Sequence, residues 1–264
     1  GLGIRWQNAF ILLVSYIFYG WWDWRFLLLI GFSSAADYFI GLKLNTETKP
    51  QTRKHWLWLS VALNLGLLGF FKYFNFFTAS FAKVLNLVGL ESSPLILNII
   101  LPVGISFYTF QTLSYTIDIY KGRLRAENNP ITFFAYVSFF PQLVAGPIER
   151  ARNLLPQFNA IRHFNYLLAK EGLQQILWGL AKKILVADQL SSYVNYCYSN
   201  YEEMSGSTLY LATAAFFIQV YCDFSGYSDI AIGTGKLFGF KLSLNFWAPL
   251  FAISSTSFWR KWHI

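Results

Sequence analysis

Charge is what this chain has least of. Only 13% of its 264 residues are Asp, Glu, Lys or Arg, whereas soluble domains usually carry about 25%. That shortage excludes an ordinary water-soluble globule. Cysteine is nearly absent. Cys197 and Cys222 cannot build a framework of bridges and have no metal-ligand spacing; they read as small apolar wall residues. Histidine occurs three times, at His55, His163 and His263. There is no P-loop, no Gly-x-Ser-x-Gly elbow and no metal-spaced His/Cys cluster, which removes the chemistries those motifs carry. No cleavable signal peptide is evident at the start. No internal repeat stands out, and no soluble domain can be cut from the sequence.

In place of charge the chain has aromatic and aliphatic residues. It is 55% hydrophobic, with 27 Phe, 16 Tyr and 10 Trp, too many to hide in one soluble core. The expected class is a polytopic, all-α integral membrane protein, a single transmembrane domain over residues 1–264. The net charge of +8 is not a nucleic-acid footprint. The basic residues are scattered between apolar runs, as cytoplasmic loops require. They also suit anionic membrane lipid or an acidic carrier protein.

Residues 6–22 carry no charge and predict a first span, with Trp21, Trp22 and Trp24 as an interfacial belt. A second apolar run, 26–42, is interrupted only by Asp37, an inward polar contact or a residue near an interface. Residues 43–54 read as a basic polar connection. A third span is expected from Trp56, running on to Phe77, and a fourth over 95–117, kinked or broken by Pro102 and Gly104. The basic loops at 43–54 and 121–125 put the N-terminus in the cytoplasm.

Residues 128–148 are charge-free but contain Pro130, Pro141, Gly146 and Pro147. A clean crossing helix would not hold Pro-Gln-Leu-Val-Ala-Gly-Pro at its centre. This segment is expected to be re-entrant or unwound, with irregular backbone at Pro141, Gly146 and Pro147. Residues 166–190 have helical periodicity with interleaved charges, as in an amphipathic interfacial helix. Residues 193–207 read as a connection, and 208–222 as a span. Residues 242–259 are charge-free but broken by Pro249.

The chain is organised around 217–264. This stretch sets Asp223, Ser225, Tyr227, Ser228 and Asp229 in one short segment and closes on Arg260, Lys261 and His263 among Phe258, Trp259 and Trp262. Polar groups beside hydrocarbon are kept where they pair, line a wet cavity or do chemistry. His55 and His163 read as loop residues. His263 is either a functional imidazole or an interfacial anchor. Asp223 and Asp229 are six apart and do not stack on one helix face, and Gly226 between them suggests a bend. They fit an ion path, acid–base work, caps, or counterions to Arg260 and Lys261.

The motifs PVGISFYTFQTLSY (102–115), FFPQLVAGPIERARNLLPQF (139–158), YCDFSGYSDIAIG (221–233) and NFWAPLFAISSTSFWRKWHI (245–264) together resemble the membrane-bound O-acyltransferase family, nearest its bacterial alginate O-acetyltransferase branch. The resemblance runs over nearly the whole chain in the right order. It implies a thick helical ring with a thin central funnel, in which a cytoplasmic acyl thioester, acetyl-CoA or an acyl carrier, meets a hydroxyl from the opposite face. No bound cofactor is implied. It also implies a bacterial inner-membrane location, an extracytoplasmic acetyl-handling protein or polysaccharide machinery as partner, and no nucleic acid.

Residue by residue, Trp259–His263 matches the family's Trp-Arg-x-Trp-His motif, so His263 carries over as a site-lining histidine. The family's principal catalytic histidine lies later, in a Trp-His-Gly-type motif absent here. The chain is thus expected to be the N-terminal and central part of a longer acyltransferase. Asp223, Ser225, Tyr227, Asp229, Arg260 and Trp262 carry over as the conduit or its support. Arg150, beside Glu149, faces the donor in this reading. The alternatives are an ion-coupled transporter or channel marked by Asp37, Asp223 and Asp229, and a non-catalytic scaffold for a secreted acyl-handling enzyme.

Overall fold

The computed structural model describes residues 3–90, 93, 95–97, 99–143 and 146–264. Its elements are α1 (Ile4–Trp22), α2 (Arg25–Thr46), α3 (Pro50–Leu68), α4 (Phe74–Leu87), α5 (Ile105–Tyr120), α6 (Pro130–Val137), α7 (Phe140–Leu143), α8 (Ala151–Phe158), α9 (Tyr166–Leu180), α10 (Asp188–Ser199), α11 (Gly206–Leu237) and α12 (Ser255–Trp259). Wider π turns at Gly69–Tyr73 and Ala181–Ala187 join α3 to α4 and α9 to α10 without a break. Among the described residues there is no strand, only an isolated antiparallel bridge between Phe246 and Trp262. The expectation of an all-α chain holds.

Two compact units form. The N-terminal unit holds α1–α6 and α8. Its centre is aromatic: Tyr108, Tyr115, Phe133, Tyr136, Phe139 and Phe158 are all fully buried, and the Tyr115 and Phe133 rings lie 4.7 Å apart. α2 comes so near α5 that a Cβ on Gly41 would stand 2.5 Å from the Tyr115 ring. Apolar surroundings require that polar groups between helices find partners, and Asp37 does so. Ser60 donates to its Oδ1 at 2.6 Å and Asn64 Nδ2 to its Oδ2 at 2.7 Å. Thr112 donates to Asn64 Oδ1 at 3.0 Å. Asp37 is 1% exposed, so of the two expectations the inward contact is the one found. The network ties α2, α3 and α5 together.

Outward, this unit presents large apolar side chains, including Trp6, Leu28, Phe32 and Phe39. Trp21, Trp22 and Trp24 are exposed at the α1–α2 turn, where the belt is expected. Two helical stretches among the described residues, Arg25–Thr46 and Pro50–Leu87, are long and apolar enough to cross a membrane.

Several boundaries differ from the sequence reading. The basic connection at 43–54 is mostly helix: Pro50 starts α3 at the position where its missing N–H costs nothing. Arg53 then donates to the Ile119 and Tyr120 carbonyls that end α5. Pro102 and Gly104 do not kink a helix spanning 95–117. The helix begins after them, with Gly104 at φ 75°, a left-handed conformation suited to glycine. Within 128–148 the chain does break. α6 ends at Val137 and α7 at Leu143, and Gly146–Arg150 is non-helical. Pro141, however, sits inside the single turn of α7 rather than in irregular backbone, because Pro is tolerated in a first helical turn. Val144 and Ala145 of this segment lie outside the described residues.

The C-terminal unit contains α9–α12. α9 and α10 make one rod that packs along α11, so the expected connection at 193–207 shrinks to 200–205. Ser205 caps α11, accepting from Thr208 N at 3.2 Å. α11 then runs through all 32 of its residues without a bend at Gly226. The reason is packing. A Cβ on Gly226 would lie 2.8 Å from the Gly179 carbonyl oxygen, and one on Gly179 would lie 2.6 Å from that of Gly226. Glycine here admits a neighbouring backbone instead of bending its own. After Gly239 (φ 79°) the chain leaves the helix and runs irregularly to α12.

Candidate functional site

α11 carries the acids and the α9–α10 rod carries their counterions. Lys182 Nζ pairs with Asp229 Oδ2 and donates to Ser225 Oγ. Gln175 Nε2 donates to Asp229 Oδ1 at 3.0 Å. Lys183 Nζ reaches Asp223 at 2.7 Å and Asp188 at 2.8 Å, and lies 5.3 Å from the centre of the Tyr227 ring. Both lysines sit in the π turn. A π turn holds one residue more than an α turn and recurs at functional positions. It presents two consecutive lysines to acids six residues apart on α11, about 9 Å along the axis.

Asp223 and Asp229 are therefore counterions, as one expectation held, but to Lys182 and Lys183 and not to Arg260 and Lys261. The lysines precede their partners by some 40 residues, a separation that sequence spacing does not reveal. The ion-path alternative needs acids facing each other across helices. Both acids instead occupy one helix and pair with lysines.

Beside this network a cavity of about 210 Å³ is lined by Trp178, Lys182, Ser225, Ser228, Asp229 and Asn245, with Tyr221 and Phe246 as aromatic walls. Asn245 belongs to the irregular stretch after α11 and is 1% exposed. Its Nδ2 donates to Ser228 Oγ at 2.8 Å, and its Oδ1 meets His263 Nδ1 at 2.7 Å. The sequence reading did not single out Lys182, Gln175 or Asn245. For Asn245 the available signal was a lone amide in the apolar run 244–253.

His263 is held by backbone as well as by side chain. Trp247 N donates to the Lys261 carbonyl at 3.0 Å, and Ile264 N to the Asn245 carbonyl at 3.0 Å. These bonds flank the Phe246–Trp262 bridge and fold residues 261–264 back on 245–247. His263 has φ 49°, in the left-handed region that few non-glycine residues occupy and in which histidine is one of the more frequent. Strained backbone of this kind persists where its surroundings over-determine it and gathers at working sites. The imidazole lies 4.9 Å from the Phe224 ring and stacks on Phe246 at 6.4 Å. Trp262 stacks on Phe217 at 5.7 Å and on Phe258 at 5.4 Å.

The remaining candidates scatter. Arg260 caps the exposed end of α12. Arg150, exposed, stands at the N-cap position of α8 in the N-terminal unit without a side-chain bond to that helix, whereas Glu149 is buried in the C-terminal unit and accepts from Ser243 N. Arg162 lies over the Phe240 ring at 4.7 Å, and burial pushes its guanidinium down to about 10, still charged at neutral pH. Cys197 and Cys222 are free and buried, as wall residues should be. Among the described residues, no group of His, Cys, Asp and Glu is arranged to hold a metal ion.

The model of the membrane-bound O-acyltransferase family matches residues 123–264, more than half of the chain. The probable alginate O-acetylase AlgI of Pseudomonas aeruginosa is 40% identical over 264 residues, covering 99% of this chain and 50% of that protein. The peptidoglycan O-acetyltransferase of Helicobacter pylori is 36% identical over 284 residues, covering 97% and 53%. The teichoic acid D-alanyltransferase of Bacillus subtilis is 26% identical over 171 residues, covering 63% and 43%. The chain spans about half the length of these relatives. With its motifs in order from Pro102 to His263 and the family match over the segment that holds the site, the chain belongs to the membrane-bound O-acyltransferase family.

Proposed function

We propose that the protein of which this chain is the N-terminal and central part is a multi-pass O-acyltransferase of a bacterial inner membrane. It moves an acyl group, acetyl in the first instance, from a cytoplasmic thioester donor to hydroxyls of an exported polysaccharide. The observation that carries this reading is the 40% identity over 99% of the chain to a probable alginate O-acetylase. The peptidoglycan and teichoic acid relatives differ in acceptor but share acyl transfer to a cell-envelope polymer as the chemistry named.

In this reading the chain is part of one transmembrane domain of the family's kind, with a central funnel. The cavity beside Lys182, Ser225, Asp229 and Asn245 belongs to that conduit. The acceptor hydroxyl loses its proton to an imidazole, its oxygen attacks the thioester carbonyl, and the C–S bond breaks. The thiolate then leaves and takes up the proton. His263 lines the reacting centre, and the principal base is the later histidine of the family. Hydrogen-bond donors around the carbonyl stabilise the oxyanion, and the aromatic walls keep water from the thioester. The acceptor hydroxyl reaches the site through an extracytoplasmic acetyl-handling protein or the polysaccharide machinery, which carries the acetyl on towards the polymer.

The test is the ester content of the envelope polysaccharide in a strain lacking the full-length gene. Loss of base-labile acetyl, restored by the intact gene, is expected. Unchanged acetylation would overturn the reading; acetylation restored as fully by a His263→Ala gene as by the intact one would favour the scaffold alternative.

A further inference from the structure

Three residues stand in line at the end of the C-terminal unit: Ser228 on α11, Asn245 on the irregular stretch, and His263. Ser228 is 2% exposed and Asn245 1% exposed, so neither amide nor hydroxyl has bulk water as a substitute partner. In the orientation found, Asn245 spends its N–H on Ser228 Oγ and turns its carbonyl oxygen to His263 Nδ1. An amide oxygen only accepts, so Nδ1 must carry a proton. A neutral imidazole has one N–H; the lone pair then sits on Nε2. Among the described residues no group bonds Nε2.

We propose that Asn245 is a positioning residue for His263, fixing the ring as the Nδ1–H tautomer with Nε2 as its basic nitrogen. The geometry around it serves the same end. Asn245 also takes the backbone N–H of Ile264 on its own carbonyl, so one residue grips the segment that carries the imidazole by main chain and side chain together. Ser228 anchors the amide from a helix that is itself locked against α9 by facing glycines. The left-handed φ of His263 aims the ring at Asn245, and Phe224 and Phe246 flank it. A histidine held by a single loop bond would sample both tautomers, and the wrong one turns an N–H instead of a lone pair towards the reacting centre.

This inference rests on the acyl-transfer reading for its consequence but not for its detection. The experiment uses the full-length protein labelled with ¹⁵N-histidine, His263 being assigned by its loss in His263→Gln. The expected result is ring nitrogen shifts of an Nδ1–H tautomer. An Nε2–H tautomer, or a rapidly exchanging mixture, would overturn the proposal whether or not the protein transfers acyl groups. Asn245→Leu should release the tautomer and lower kcat by about 10- to 100-fold or more, since the partner that fixes a working imidazole's tautomer acts on the rate, with KM changed by less than about twofold. Asn245→Asp keeps an oxygen acceptor at the same place. It should retain the Nδ1–H shifts and recover most of the kcat lost in Asn245→Leu. Wild-type kcat in a folded Asn245→Leu protein would also overturn the proposal. If Asn245→Leu does not fold, the wild-type and Asn245→Asp shifts decide it. If no variant, wild type included, transfers acyl groups while the shifts behave as stated, the functional reading fails and the positioning role stands.

Discussion

Gly172 on α9 and Gly233 on α11 meet backbone to backbone. A Cβ on Gly233 would lie 2.5 Å from the Gly172 carbonyl oxygen, and one on Gly172 would lie 2.7 Å from that of Gly233. Gly179 and Gly226 repeat the contact seven residues along each helix, in the antiparallel sense. Seven residues are about two turns, so the four glycines share one seam. Close approach of this kind is how helices associate where burial from water gives no drive.

The seam predicts a sharp size limit. Gly233→Val should destabilise the full-length protein by about 1–3 kcal/mol, because the side chain meets backbone that cannot move aside. Gly66→Ala is the control: nothing lies within 4 Å of a Cβ there, and alanine should be neutral or stabilise the helix by up to about 1 kcal/mol. Thermal unfolding in detergent measures both. Equal tolerance of the two would mean that α9 and α11 do not pack at these glycines.

The Lys182–Asp229 pair makes a second prediction. Its side chains are 13% and 17% exposed, so removing one partner strands a desolvated charge. Lys182→Met should cost about 3 kcal/mol. Lys182→Met with Asp229→Leu should recover most of that loss, since a buried pair is commonly replaceable by apolar side chains. Acyl transfer separates support from chemistry. A stable double variant with near-normal transfer assigns the pair to structure. A stable but inactive one places it in the conduit.

Asp37 is expected to be structural. Its two oxygens accept from Ser60 and Asn64 across helices. Asp37→Leu removes the carboxylate acceptor, leaving Ser60 only Thr116 Oγ1 and Asn64 Nδ2 only the Ser60 carbonyl, and should lower stability by about 1–3 kcal/mol. Flux of protons or sodium through vesicles holding the full-length protein should be at background with or without the substitution. Flux that vanishes in Asp37→Asn would return the transport alternative.

Much of the helical layout could be read from charge-free runs. α1 and α2 fall close to residues 6–22 and 26–42, and the breaks near Pro102 and after Pro141 are real. What was misplaced shares a cause. Gly226 read as a bend because glycine loosens a lone helix, and only the partner backbone of Gly179 shows that it serves approach. Pro102 and Gly104 marked a helix start, which looks the same in sequence as a kink. The counterions of Asp223 and Asp229 sat far upstream, in an interfacial-looking helix, and the downstream pair Arg260 and Lys261 was the wrong one. Asn245 escaped notice because an amide carries no charge and its role depends on a fold-back that pairs 245–247 with 261–264.

The most direct measurement is acyl transfer by purified full-length protein from a thioester donor to a polysaccharide acceptor, comparing wild type with His263→Gln at matched amounts of folded protein. A fall of about a hundredfold, the low end for a group acting on reacting atoms, is the result predicted. Wild-type rates in His263→Gln would remove the imidazole from the site and contradict the account.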